Sequence, residues 1–173
     1  MFSLRILKKR GVSCVLALVL GASLLFMGCP PDPDDEDLTS LLHGTWISQF
    51  DEKFVIDLNN NTIQHDYIGN YPDFCFSGTI HEIVKLTNNG SAGIIFIEYT
   101  NKAGWWGTGD GNFTGVYYNN LTDTTIVIAN ASEEFPPGEY ITPTTTTLAA
   151  AKARFTEGTI YDYFQWTSPC IKQ

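Results

Sequence analysis

The sequence predicts an all-β fold: one antiparallel meander of about eight strands closed into a barrel, with a short helix before the last strand. Three observations point there. Apolar and polar residues alternate with a period of two, as where Phe54, Ile56 and Leu58 interleave with Val55 and Asp57. Turn chemistry punctuates these runs, in Asn59-Asn60-Asn61, Asn88-Asn89-Gly90 and Asn119-Asn120. From Leu41 onward no linker interrupts the chain, and its roughly 130 residues amount to one domain.

Taken in order, Gly44-Thr45-Trp46-Ile47 begins the first strand and Asp51-Glu52 turns it into the second, with Thr62 to Tyr67 as the third. A looser segment, Ile68 to Phe74, leads into a long strand from Cys75 to Leu86. There Ile80, Val84 and Leu86 fall on one face, and Thr79, His81 and Ile83 on the other. In Gly93 to Thr100, Ile95, Ile97 and Tyr99 oppose Ile94, Phe96 and Glu98. A glycine-rich connection, Gly104 to Gly111, precedes strands at Phe113 to Tyr118 and Thr124 to Ala129. Leu148 to Phe155 is rich in strong helix formers, and Thr144 to Thr147 supplies an N-cap hydroxyl; Leu148, Ala151 and Phe155 share the packing face. Ile160 to Trp166 is expected as the last strand. Eight strands suffice to close a small barrel and leave no edge exposed.

The first 28 residues read as an export leader. Arg5, Lys8, Lys9 and Arg10 precede an uncharged stretch, Val12 to Met27, which is shorter than the roughly 20 residues a bilayer-spanning helix needs. Phe26-Met27-Gly28-Cys29 resembles the lipobox of bacterial lipoproteins, with the relaxed form seen in spirochaetes. The resemblance implies that Cys29 is acylated and anchors the chain in the cell envelope, at the outer membrane or cell surface. Several acyl chains on one residue hold a membrane where a single chain binds only marginally.

Residues 29–40 read as an acidic, proline-rich tether, with Asp32, Asp34, Asp35, Glu36 and Asp37 among Pro30, Pro31 and Pro33. Residues 41–173 form the barrel domain. Of four cysteines, Cys14 leaves with the leader and Cys29 carries lipid, so Cys75 and Cys170 are expected to form a disulfide; two buried thiols are the alternative. The full chain has a formal net charge of −9, and four of its ten basic residues lie in the leader. Nucleic acid is excluded as a partner, because phosphate binding needs clustered cations.

Gly44-Thr45-Trp46 on the opening strand, followed by the meander and a late helix, resembles the lipocalin or calycin barrels. In that family the tryptophan closes one end of the barrel beneath a late arginine. The resemblance gives Trp46 and Arg154 those places, although Arg154 falls on the expected helix. Gly115-Val116-Tyr117-Tyr118 and the Thr-rich loop after it are also similar to domains of treponemal lipoproteins.

Catalytic signals are weak. His81-Glu82-Ile83-Val84-Lys85 begins like a zinc-protease motif, but Lys85 replaces the second histidine and the segment reads as strand. No nucleophile elbow accompanies His43, His65 or His81, and Asp57, Glu82 and Glu98 read as a solvated strand face. Neither a metal nor another cofactor is expected. The aromatic residues carry more: Trp105 and Trp106 in the glycine-rich loop, with Tyr67, Tyr71, Phe74 and Phe76 clustered around another loop, suggest an aromatic lip for a ligand or a partner. The expectation is a non-catalytic envelope lipoprotein that binds a small apolar or amphipathic molecule. The alternative is a protein-interaction module, an adhesin or inhibitor, whose barrel is filled by side chains.

Overall fold

The computed structural model describes residues 33–69, 74–102, 111–134, 138 and 140–173. The leader and Cys29 therefore lie outside the described residues, as do Tyr71, Trp105 and Trp106. The strands are β1 (Gly44–Ser48), β2 (Glu52–Asp57), β3 (Thr62–Tyr67), β4 (Phe74–Lys85), β5 (Gly93–Lys102), β6 (Phe113–Asn119), β7 (Thr125–Asn130), β8 (Glu133–Glu134), β9 (Tyr140–Ile141) and β10 (Ser168–Lys172). Eight of them close an antiparallel barrel in the order β1-β10-β7-β6-β5-β4-β3-β2, while β8 and β9 form a separate two-stranded ribbon. Closure comes from β1 pairing with β10, in the register Trp46 to Lys172 and Ser48 to Cys170. Among the described residues no helix is long and apolar enough to cross a membrane.

Both faces of the sheet are buried on one side of the barrel, which explains why Ile94 to Ile97 of β5 and Val116 to Tyr118 of β6 show no polar alternation. Ile95, Ile97 and Tyr99 join the interior core, whereas Ile94 and Phe96 join a second core outside it. That outer core lies under helix α2 (Leu148–Arg154) and a short helix α3 (Ile160–Tyr163), through Ala151, Phe155 and Phe164. Thr147 caps α2, its hydroxyl accepting from the Ala150 N–H. Close approach is possible because Gly115 has no side chain: a Cβ there would stand 3.2 Å from Phe164 and 3.3 Å from Phe155.

The far end of the barrel is sealed by helix α1 (Pro33–Leu42), whose Leu38 and Leu42 are buried in the interior core. Where an extended tether was expected through residue 40, the chain is thus helical from Pro33. Proline is tolerated in a helix's first turn, where its missing N–H has no partner to lose. The two leucines add burial worth about 1.5–3 kcal/mol each.

The Trp46 indole Nε1 donates to the Leu42 carbonyl at 3.0 Å. Lys172, not Arg154, covers the ring: its Nζ lies 5.1 Å from the ring centre and donates to the carbonyls of Ser40 and Leu41, at the last turn of α1. Gly44, at φ 141°, leaves room for this, since a Cβ there would meet Lys172 Cε at 2.8 Å. Arg154 sits on α2 outside the barrel wall, where it pairs with Glu133 at 2.7 Å and lies over Tyr163. A helix packed on the wall cannot place its arginine under the barrel floor.

Three further expectations change. Cys75 and Cys170 are buried thiols and are not joined by a disulfide. β4 and β10 are four strands apart in either direction around the eight-stranded ring, so they face each other across the barrel. A disulfide needs Cα atoms within about 7 Å. The last strand is Ser168–Lys172 rather than Ile160–Trp166, and Ile160–Tyr163 is helical. In β4 a bulge between Ile80 and Glu82 also shifts the register. Ile80 and Ile83 therefore pack toward the interior core, with Val84 and Leu86 toward the outer one.

Replacing Lys172 by alanine should cost about 1–2 kcal/mol through loss of the helix cap and the cation–π contact, and Leu42→Ala about 2–5 kcal/mol. Urea unfolding followed by tryptophan fluorescence checks both; a Lys172→Ala variant as stable as the wild type would mean that the seal is held by apolar packing alone.

Candidate functional site

At the end of the barrel opposite α1 the described residues leave a recess. A cavity of about 550 Å³ enters it. Its wall is mostly apolar, with Phe54, Tyr67 and Ile128 from strands of the barrel and Tyr140 and Ile141 from the β9 ribbon. Phe50 and Trp166 stand at the rim, 57% and 62% exposed, and Trp166 packs edge-on against Tyr140. Large apolar side chains at such exposure are unusual on a surface that contacts only water.

One polar cluster interrupts this wall. Glu52 opens β2 with its side chain on the inward face, in phase with Phe54 and Ile56. Its carboxylate accepts a hydrogen bond from the Ser48 hydroxyl at 3.1 Å and another from Ser168. Ser48 also accepts from the Glu52 N–H at 3.2 Å, closing the β1–β2 turn, where Asp51 takes φ 60°. His65 is fully buried beside it, with Nε2 at 3.6 Å from Glu52 Oε1. The imidazole stacks on Phe54 with ring centres 4.2 Å apart and meets Phe76 edge-on. Asn130, at the end of β7, reaches His65 Nδ1 through its amide nitrogen at 3.2 Å, and its Oδ1 is buried without a hydrogen-bond partner.

Asn130 Nδ2 faces His65 Nδ1 and Glu52 faces Nε2, so the imidazole is held between an amide and a carboxylate. Burial is the largest influence on the Glu52 carboxyl and would raise its pKa. The hydrogen bonds from His65, Ser168 and Ser48, with the charge of His65, together outweigh burial and hold it below the usual carboxylate range. Glu52 is therefore ionised at neutral pH. The same carboxylate, second to burial, pushes the neighbouring Cys170 thiol up to about 12, so that thiol is a poor nucleophile.

Of the residues singled out in the sequence, Tyr67 lines the cavity. Phe74 begins β4, while Tyr71, Trp105 and Trp106 lie outside the described residues. Trp46 belongs to the sealed end. His81 bonds Glu98 at 2.8 Å and Glu82 pairs with Lys152 at 2.6 Å, both at the outer surface and apart from the cavity. His43 accepts from the Leu58 N–H at 3.2 Å. Among the described residues no group of three or more His, Cys, Asp or Glu side chains is placed to hold a metal ion. Sequence reading missed Glu52, Ser168, Asn130, Phe50 and Trp166. A signal existed for Glu52, an acid in the apolar phase of a strand.

The depressed Glu52 carboxyl sets a pH dependence. Its ionised form is favoured by the fold, so its contribution to stability is present above the unfolded chain's ordinary carboxyl value and is lost as pH falls through the lower, folded value. The stability difference between wild type and Glu52→Gln should accordingly shrink on acidification across that window. Thermal unfolding at a series of pH values checks this, and a difference that grows toward acid contradicts the assignment.

Comparison of the chain with known protein families, with curated proteins and with solved structures finds no match.

Proposed function

We propose that the chain is a lipid-anchored envelope lipoprotein whose barrel binds a small apolar or amphipathic molecule without catalysing a reaction on it. The observation that carries this reading is the cavity of about 550 Å³ at the mouth, with its apolar wall and single polar cluster. Sites of that size with few convergent polar groups suit small organic ligands. Ser48 and Ser168 direct their hydroxyls at Glu52, an arrangement that holds the carboxylate in place rather than preparing a nucleophile. The anchor and the address come from the leader and Cys29.

A second reading has one observation in its favour. Phe50 and Trp166 expose enough apolar surface at the rim to meet a protein partner in the envelope. Native mass spectrometry of the protein purified from its own envelope separates the two. A bound molecule that is absent from Thr167→Trp, a substitution at an exposed residue lining the cavity, supports the carrier. A clean apo mass, unshifted by added envelope lipids, supports the partner-binding module. Cys29→Ser should release the protein from membranes; full retention with the leader cleaved would count against the anchor.

A further inference from the structure

We propose that the cavity selects a cation: a small amine whose apolar part lies on the aromatic wall and whose ammonium reaches Glu52. The inference rests on the ligand-binding reading above and adds the charge of the ligand. Among the described residues, Glu52 is the one charged side chain lining the cavity, and no lysine or arginine among them lines it. A carboxylate ligand would meet a like charge of low exposure, 13% for the Glu52 side chain, whereas an ammonium would meet an opposite one.

A second polar group of the lining points the same way. Asn130 gives its amide nitrogen to His65, which leaves Oδ1 as an acceptor with no partner among the described residues. An acceptor without a donor calls for a ligand that brings one, and an ammonium has three. The wall suits the same class, because Phe54, Tyr67, Tyr140 and Trp166 line it and an aromatic ring face attracts a cation more strongly when water is excluded. On the ribbon that carries Tyr140 and Ile141, Glu133 pairs with Arg154, and Glu134 adds negative charge. The chain's net charge of −9 favours the approach of cations.

The test uses three probes of matched shape, 2-phenylethylamine, 2-phenylethanol and phenylacetate, titrated calorimetrically into the full chain at neutral pH. The amine should bind about tenfold more tightly than the alcohol, and the acid more weakly than either. Glu52→Gln should erase the preference for the amine over the alcohol. Should that variant fail to fold, Thr167→Lys adds a cation to the cavity lining at an exposed position and should weaken the amine alone. Equal binding of amine and alcohol, or a preference that survives both substitutions, overturns the cation inference while leaving the carrier reading intact. No binding of any probe up to millimolar concentration overturns both.

Discussion

The interior of an eight-stranded barrel is only wide enough to be packed with side chains or to admit one small ligand, and this chain divides that space in two. Toward α1 it is packed: Trp46, Ile56, Ile63 and Leu42 are wholly or almost wholly buried. Toward the mouth the packing stops at Phe54, His65 and Ile128, and polar side chains take over. The boundary follows from strand periodicity. Along β1, β2 and β10 the inward positions run Trp46 then Ser48, Ile56 then Phe54 then Glu52, and Cys170 then Ser168, so each strand becomes more polar as it nears the same end.

Burying a carboxylate is costly unless its hydrogen bonds are met. The fold meets them by register rather than by proximity in sequence. Glu52 and Ser168 are 116 residues apart, and they touch because β2 flanks β1 on one side and β10 flanks it on the other. The arrangement is therefore a property of barrel closure. A one-residue slip between β1 and β10 would turn Ser168 and Cys170 outward and put Pro169 and Ile171 inside.

The parts of the fold readable in the sequence were those fixed by local rules. Alternation located β1 to β7, the asparagine turns fell where positive φ was needed at Asn61 and Asn120, and Thr147 capped the helix its hydroxyl predicted. The parts misread depend on distant partners. Ile160 to Trp166 has strand composition, but its start is helical because the outer face of β5 and β6 needed covering. Ser168-Pro169-Cys170 looks poor as a strand, and β10 exists because two strand edges remained to be joined. The acids of residues 34–37 concealed α1, whose buried leucines come at its end. The candidate site was the least legible part. Its residues come from β2, β3, β7 and β10 and form no motif along the chain.

The meander also dictates an order of events. Because the first strand of the barrel pairs with the last, nothing can close until the C-terminal residues are present. Until then β1 and β7 are open edges, each able to template intermolecular pairing. Contacts between strands so far apart in sequence form late and slowly. Lys172, on β10, completes both the ring and the seal under Trp46. The chain is thus an unfinished sheet until β10 is in place, and loss of that one strand would convert a closed barrel into an aggregation-prone ribbon.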